Sequence, residues 1–344
     1  WINRRGTERI FRYQWPHRGK GSVAPMSKYK QIKLSGIKTI SIKKRRSKVS
    51  PKDFARVVDA KKARLSDFVD SLPHILMADE LRALVLDVER SHRRKKPVIL
   101  MMGAHVIKVG LSPLIVDLVR RGIITHVAMN SAAAIHDVET AMWGQTSEDV
   151  ATNILEGKFG MSKETGDFIN RALVRGFAET TEGYAETVAK KIIASRAPHR
   201  SVSILASCYE QNVPVTVHAA IGTDIIHQQP SMDGAATGEM SFRDFKIFAN
   251  SVKDLRGGGV VLNVGSAVIL PEVFLKTLTI ARNLGYKAQG FSTANFDMIR
   301  QYRPQVNVVE RPTQGSGRGY SFTGHHEIMI PLFAAMIKLR MSKG

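Results

Sequence analysis

Cysteine is almost absent from this chain, and long apolar runs are absent altogether. The 344 residues include a single cysteine, Cys208, so neither an internal disulfide nor a zinc site built on several cysteines can form. Such usage is typical of a reducing compartment, and we expect a cytoplasmic protein. The longest apolar run begins at Pro97 and has only strand length, well short of the roughly 18 residues of a membrane-spanning helix.

Two common nucleotide-binding motifs are also missing. No G-x-G-x-x-G follows the first predicted strand, and no G-x-x-x-x-G-K-[ST] occurs anywhere. Both motifs bring backbone N–H groups close to phosphates. The run Gly257–Gly259 precedes a predicted strand and is interpreted as a flexible turn. These absences disfavour an ordinary dehydrogenase fingerprint and a P-loop kinase.

Acidic residues are scarce mainly at the start of the chain. The net charge is +21, and residues 1–50 hold 15 lysines and arginines against one acidic residue. Residues 99–344 hold 25 against 21. We therefore interpret residues 1–50 as a basic, disordered leader and expect nucleic acid as a partner only through it. The run at residues 43–46 is consistent with RNA binding or a localisation signal, although a solvated tail is the simpler interpretation.

The first 25 residues show no hydrophobic periodicity. The chain begins with Trp1 and Met26 is a candidate start, so residues 1–25 are interpreted as an upstream extension. A mitochondrial-type presequence is the alternative, because it would be basic and poor in acids. The amphipathic apolar face that such a presequence needs is missing.

Strands and helices are predicted to alternate along most of the chain. Residues 51–96 are predicted to be helical, with Ser50 as the cap and Pro51 at the first position. From Pro97 the predicted strands are 98–102, 123–129, 213–219, 259–264, 288–292 and 306–309. The predicted helices are 112–121, most of 147–211, 241–255 (capped by Ser241), 271–284 and 325–341. This order predicts an α/β fold over residues 97–344, with a Rossmann-like parallel sheet and helices on both faces.

Small or polar residues follow five of the predicted strands. They are Gly103-Ala104-His105, Asn130-Ser131-Ala132, Gly222-Thr223-Asp224, Gly265-Ser266 and Thr293-Ala294-Asn295. In an open parallel sheet, ligands bind beyond the carboxyl ends of the strands. Small residues let a phosphate approach the backbone, and helix amino termini favour anions. The set therefore predicts a nucleotide cleft, with tight strand-to-helix turns as the structural alternative.

Candidate acid–base residues stand at or near these turns. Asp224 and His227 are three residues apart, and His325 and Glu327 stand at the start of the last helix. A neutral histidine acts as an acid or a base near pH 7, and a purely structural role for each histidine remains the alternative. Because His325 and His326 are adjacent on a helix, at most one of them is expected to face the cleft. A metal site would need about three converging ligands.

The ordered series of strand ends resembles the deoxyhypusine synthase family, from about Pro97 to Lys338. The residues that carry the likeness are Gly103-Ala104-His105, Asn130-Ser131-Ala132-Ala133, Gly222-Thr223-Asp224, Asn263-Val264-Gly265, Thr293-Ala294 and Gly324-His325. The resemblance implies NAD as cofactor, an amine-type substrate and a homo-oligomer, which is a tetramer in that family. The predicted NAD-binding residues are Gly103, Ala104, His105, Asn130, Ser131, Ala132, Asp224, Gly265, Ser266, Thr293 and Ala294.

The catalytic lysine of that family has no counterpart here. In the family it lies between a Phe-Asp pair and the last strand, in a Trp-Gly-Lys segment. Residues 296–320 contain four arginines but neither lysine nor tryptophan. Arginine keeps its proton and does not readily form a Schiff base. His325 stands where the family has an aspartate. We therefore expect a divergent transferase or oxidoreductase rather than deoxyhypusine synthesis itself.

Three functions follow from these observations. The first is an NAD-dependent enzyme acting on a polyamine, amine or amino-acid-like substrate, with Asp224, His227, His325 and Glu327 as catalytic residues. The second is a metal-assisted hydrolase or lyase that uses histidine and carboxylate side chains on the same fold. The third is a non-catalytic binding protein with a basic tail.

Overall fold

The computed structural model describes residues 27–342, and the chain divides into two units, Trp1–Lys48 and Val49–Gly344. In the described part of the first unit, residues 27–48, every residue is exposed and a 3-10 helix spans Leu34–Gly36. The basic run at residues 43–46 lies in this exposed stretch. Our interpretations of residues 1–26 lie outside the described residues.

The second unit begins with helical segments that are shorter than the sequence predicts. A 3-10 helix spans Pro51–Asp53 with Ser50 as its cap, and it is followed by α1 (Leu65–Ser71) and α2 (Leu76–Arg93). Residues 54–64 are not helical, so the prediction of a helix over all of 51–96 is wrong. Val57 is fully exposed, and a segment without a buried apolar face lacks the packing that stabilises most protein helices.

Six parallel strands form one sheet at the centre of this unit. They are β1 (Val98–Met102), β2 (His126–Asn130), β3 (Val215–His218), β4 (Val260–Val264), β5 (Ser292–Asp297) and β6 (Arg318–Thr323). Their spatial order is β3-β2-β1-β4-β5-β6. The chain therefore builds the sheet outward from β1 on one side, and β4 then returns to the other side of β1. The predicted Rossmann-like α/β fold is confirmed.

Helices cover both faces of the sheet. They are α3 (His105–Lys108), α4 (Ser112–Arg120), α5 (Ser131–Trp143), α6 (Val150–Leu155), α7 (Lys163–Glu179), α8 (Tyr184–Ala194), α9 (Ile204–Glu210), α10 (Gly234–Val252), α11 (Ile269–Asn283), α12 (Tyr302–Pro304) and α13 (His326–Met341). Among residues 27–342, no helix is both long enough and apolar enough to cross a bilayer.

Strand β1 explains why the sequence shows a run of apolar residues rather than an alternation. All five of its residues are buried. Leu100 and Met102 belong to one hydrophobic core, while Ile99 and Met101 belong to the core on the other face. A strand with helices packed on both sides has no solvent face and so needs no polar positions.

Strand β5 is displaced from its prediction. The predicted strand 288–292 overlaps it only at Ser292, and Thr293-Ala294-Asn295 lies inside the strand instead of in a following turn. The reason is a buried polar pair, in which Asn263 Nδ2 on β4 donates to Asn295 Oδ1 at 2.7 Å. Because this pairing satisfies polar groups inside the sheet, residues typical of a turn occupy a central strand.

Two further predictions are wrong. The predicted strand at 306–309 is part of a π-helix, Gln305–Glu310. In this helix Val308 packs in the core beside α11, and the Asn307 amide donates to Glu272 at 2.8 Å. Helix α10 begins at Gly234 with Asp233 as its cap, and not at Ser241. The Ser241 hydroxyl instead accepts the backbone N–H of Ala219 at 2.9 Å, just after β3.

Candidate functional site

Four of the five predicted strand-end turns lie at the carboxyl edge of the sheet. Met102 is level with Met129 and Val264 in the strand registers, and Asn130 is level with His218. The turns that follow β1, β2, β3 and β4 therefore emerge side by side. Thr293 and Ala294 lie inside β5 and are fully buried, so their predicted place at a strand end is wrong.

The topological switch point between β1 and β4 is closely packed. Gly103 N–H donates to the Val264 carbonyl at 3.0 Å, and a Cβ on Gly103 would lie 2.2 Å from the Gly265 carbonyl oxygen. Gly265 has φ +66°, and a Cβ there would lie 2.9 Å from Cε1 of His326. Both glycines are therefore required by the packing of the two strand ends. Their presence alone does not indicate a phosphate loop.

His326 lies over Gly265 and is buried. Its Nε2 is 3.0 Å from the Phe296 carbonyl oxygen, which can only accept, so Nε2 carries the proton. In the neutral ring Nδ1 is then an acceptor, and it has no hydrogen-bond partner among the described residues. A buried acceptor without a partner is rare and marks a place where a donor is expected.

His325 points the other way. It is the N-cap residue of α13, its side chain is 66% exposed, and its Nδ1 lies 3.7 Å from a Glu327 carboxylate oxygen. The sequence pattern favours His325, whereas the inward-facing residue is its neighbour. A signal for this was present, because His326 lies on the same helical stripe as the buried Ile330, Phe333 and Ile337.

His105 completes the group at the switch point. It begins α3, and its ring centroid is 5.3 Å from that of His326. Burial lowers the pKa of His105, and His326 lowers it further, while Glu327 and Asp297 act in the opposite direction. The site therefore holds two neighbouring imidazoles, one with a fixed tautomer and one with a lowered pKa.

A second group lies at the ends of β2 and β3. The Ser131 hydroxyl at the start of α5 donates to Oδ2 of Asp224, and the same oxygen is 3.8 Å from His227 Nε2. Burial raises the pKa of Asp224, although the Ser131 hydroxyl and His227 oppose the shift. The four predicted catalytic residues therefore form two separate pairs. Asp224 and His227 lie together after β3, and His325 and Glu327 lie together at the start of α13.

The loop after β3 fixes the tautomer of His227. Its Nδ1 accepts the backbone N–H groups of Gly222 at 3.1 Å and Asp224 at 3.2 Å. Nε2 must therefore carry the proton, and it has no hydrogen-bond partner among residues 27–342. Its 3.8 Å separation from Asp224 is longer than a hydrogen bond. His227 and Asp224 are therefore close together, but no hydrogen bond joins their side chains.

A separate hydrogen-bonded chain begins at His136, also on α5, and leads to a cavity. His136 Nδ1 is 2.5 Å from the Thr146 hydroxyl, which donates to Glu139, and Thr165 donates to the other Glu139 oxygen at 3.1 Å. Burial would raise the pKa of Glu139, but these hydrogen bonds outweigh it and lower the pKa. The cavity, of about 500 Å³, is lined by Glu139, Trp143, Thr146, Glu148, Glu164 and Thr165 among others.

Two residues near this region are structural. Asp137 is buried and caps α9, since it accepts the N–H groups of Ile204 at 2.8 Å and Leu205 at 3.1 Å. Burial raises the pKa of Asp137 to about 6. Cys208 is a buried core residue of α9, and burial raises the pKa of its thiol.

Metal ligands are not brought together in the described part of the chain. No group of three or more histidine, cysteine or acidic side chains in residues 27–342 is arranged to hold an ion. The pairs Asp224–His227 and His325–Glu327 stand on different elements. No observation in the site therefore favours the metal-assisted hydrolase.

Comparisons with known proteins give likeness to solved structures only. No family model and no curated protein matches this sequence. A conserved LOR/SDH protein of Methanococcus maripaludis S2 matches with a TM-score of 0.49 and 14% identity, over 76% of this chain and 70% of that one. A protein of Entamoeba histolytica named as a deoxyhypusine synthase matches with a TM-score of 0.49 and 10% identity, over 80% and 93%.

A third match is AgrE in its complex with ornithine and NAD+. Its TM-score is 0.48 at 13% identity, and the match covers 77% of this chain. This chain spans only about a third of the AgrE chain, with 33% of it covered. At such identities the function has to be argued from the residues themselves.

Proposed function

We propose that this chain is a deoxyhypusine synthase-like, NAD-dependent enzyme acting on a small amine or amino-acid-like substrate, and that it does not make deoxyhypusine. The observation that carries the proposal is the group of buried and half-buried titratable side chains near the carboxyl ends of β1 to β4. These are His105, His326, Asp224 and His227. Burial shifts the pKa values of His105 and Asp224, and shifted groups beyond the carboxyl ends of an open parallel sheet are typical of a functional site.

Two features of the switch point fit a dinucleotide. His326 Nδ1 is a buried acceptor that lacks a donor, and a cofactor amide or hydroxyl would supply one. The amino terminus of α5 at Ser131 would favour an anionic group. We propose that NAD is held by Gly103, Ala104, His105, Asn130, Ser131, Ala132, Gly265, Ser266 and His326. Bound NAD would supply hydride transfer.

Asp224 is the proposed proton acceptor and donor. Its raised pKa brings proton exchange closer to neutral pH than for an ordinary carboxyl group. The Ser131 hydroxyl holds one of its oxygens, and the neutral His227 presents an N–H beside the same oxygen. His325 and Glu327 are proposed to act at the exposed mouth of the site, as a second acid–base pair.

The neighbouring cavity supports an amine as the substrate class. Three carboxylates, Glu139, Glu148 and Glu164, line it together with the indole of Trp143. Negative charge attracts an ammonium group, and an indole face adds a cation–π contribution. The two places share α5, because Ser131 at its start bonds Asp224 and His136 on the same helix bonds the cavity residue Thr146.

Titration calorimetry with NAD+, NADH and NADP+ tests the cofactor. We expect binding of one of them, and the variant His326→Gln is expected to weaken it about tenfold, the effect of one lost hydrogen bond. His74→Gln is the control, because its side chain is 55% exposed and it precedes α2, outside the proposed site. If none of the three nucleotides binds to the full chain, the proposed function is wrong.

A further inference from the structure

Three loops with basic side chains meet at the amino edge of the sheet, opposite the proposed NAD site. They precede β1, β4 and β5 and are joined by backbone hydrogen bonds. Val260 N–H donates to the Pro97 carbonyl at 2.9 Å, and Gly257 N–H donates to the Gln289 carbonyl at 2.9 Å. We call the basic residues of these loops the amino-edge surface: Arg94, Lys95, Lys96, Lys253, Arg256 and Lys287.

The cations of the amino-edge surface outnumber the acidic residues around them, since the exposed Asp254 is the one carboxylate that lines the two larger grooves. Arg90 and Arg93 on the preceding helix are paired with Asp87 and Glu89, but none of the six amino-edge residues forms an ion pair with a described residue. Four of the six are exposed, and Lys96 and Lys253 are half-buried. The cluster is not evident from composition, because residues 99–344 carry nearly equal numbers of charges, 25 basic and 21 acidic.

The amino-edge surface is concave. Two adjoining grooves, of about 630 and 380 Å³, share Lys95, Lys96, Pro97 and Asp254. A third, of about 340 Å³, lies between Arg94 and Gly257. Tyr286 is 46% exposed in the largest groove. Lys253 Nζ lies 5.5 Å from the centre of its ring. An aromatic ring set among cations is the arrangement on which nucleic-acid bases stack while phosphates are neutralised.

Glycines leave the backbone of this surface uncovered. Gly257 has φ +71° and Gly285 has φ +87°, and a Cβ on either would meet no atom within 4 Å. Their positive φ values favour glycine, so the turns are maintained without side chains that would fill the grooves. A narrow, flexible polyanion can follow such grooves, whereas a flat membrane surface would contact only their rims.

We propose that the amino-edge surface binds the phosphate backbone of single-stranded nucleic acid. The charge distribution along the sequence predicts nucleic-acid binding only for residues 1–50. The proposal extends such binding to the folded unit. It is independent of the proposed NAD site, which lies at the opposite edge of the sheet, so either can fail without the other.

Fluorescence anisotropy with a labelled 20-nucleotide RNA and a DNA of the same sequence tests the proposal. The full chain is used with residues 43–46 changed to glutamine, so that the leader contributes less. In that background, Lys95→Gln, Lys96→Gln, Lys253→Gln, Arg256→Gln and Lys287→Gln together should weaken binding at least tenfold. The salt dependence should also become less steep, by about 0.7 for each phosphate that the variant no longer neutralises.

The matched control removes five exposed charges elsewhere: Arg120, Lys158, Lys163, Arg175 and Arg196, each to glutamine. It should change the affinity less than threefold. If the five-site amino-edge variant fails to fold, the double variant Arg256→Glu, Lys287→Glu replaces it, with a threefold loss as the smallest supporting effect. Unchanged affinity in the folded variants overturns the proposal. So does binding only to anionic phospholipid vesicles.

Discussion

The two edges of the sheet use glycine and charge differently. At the carboxyl edge, a Cβ on Gly103 would overlap the neighbouring strand end. The titratable groups there are buried or half-buried, and hydrogen bonds to the backbone hold the rings of His326 and His227. At the amino edge, Gly257 and Gly285 face open space. The six cations there, four exposed and two half-buried, form no ion pair among residues 27–342. Close packing fixes tautomers and shifts pKa values, which is what acid–base chemistry requires. An open, charged edge keeps side chains mobile in water, which suits a partner recognised by its charge.

The strongest test of this contrast is Asp224→Asn. The amide keeps the shape of the carboxyl group but cannot exchange the proton, so we expect a turnover loss of roughly 10²- to 10⁴-fold with the amine substrate and NAD. The acid limb of the pH–rate profile, which lies above the ordinary carboxyl pKa because burial raises the pKa of Asp224, should disappear. Asp254→Asn, at the exposed amino edge, is the control and should leave turnover unchanged. An equal loss in both variants would refute the role of Asp224.

Gly103→Ala tests the packing at the carboxyl edge. The added Cβ would lie 2.2 Å from the Gly265 carbonyl oxygen, so strand ends must separate. We expect the free energy of unfolding to fall by about 3 kcal/mol in urea titrations. In Gly238→Ala the Cβ meets nothing within 4 Å in the exposed part of α10. That control should be stabilised by roughly 0.5–1 kcal/mol. A change in the free energy of unfolding of the same sign in both variants would contradict our account of Gly103.

A smaller effect is expected from His218, the buried last residue of β3. Burial lowers the pKa of His218 to about 3, from an ordinary value of 6.5. Because the unfolded state takes up the proton first, the stability that this residue contributes is present above pH 6.5 and is lost as the pH falls toward 3. Between pH 7 and pH 5, the wild type should lose about 2 kcal/mol more than His218→Gln.

The comparison with the variant is needed because other groups titrate in the opposite direction. Burial raises the pKa of Asp137 to about 6 and that of Asp244 to about 8. Both therefore gain protons in the folded state first and add stability as the pH falls. Their contribution is common to the wild type and to His218→Gln and cancels in the difference. Parallel stability curves for the two proteins would show that His218 is not responsible.

A strand could be predicted from the sequence where its pattern of apolar residues reflects which of its faces are buried. The apolar run of β1 was sufficient because both of its faces are covered. Strand β6 was missed although its signal is present, since Tyr320 and Phe322 are buried and alternate with the less buried Ser321 and Thr323. The pair Val308–Val309 resembles a short strand, and apolar runs of that length cannot distinguish a strand from a buried helical turn.

The candidate site was predictable where it depended on strand ends and not where it depended on orientation. Asp224 and His227 were identified because they are close in sequence and follow a strand. His326 was missed because its role comes from contacts with Gly265 and Phe296, which are distant along the chain. The hydrogen bonds from His136 through Thr146 to Glu139 were also not predictable, because folding brings a helix and the loop after it together.

The amide pair between β4 and β5 has a consequence for how the strands align. Asn263 and Asn295 are register partners, and the Asn263 amide also donates to the Ser266 carbonyl at 2.9 Å. A slip of one residue would turn Asn295 to the other face of the sheet, and a slip of two would leave buried amide groups without partners, at about 1–3 kcal/mol each. Misaligned strands are therefore selected against during folding. The pair acts as a specificity element that positions the end of β5, and with it the Phe296 carbonyl that orients His326.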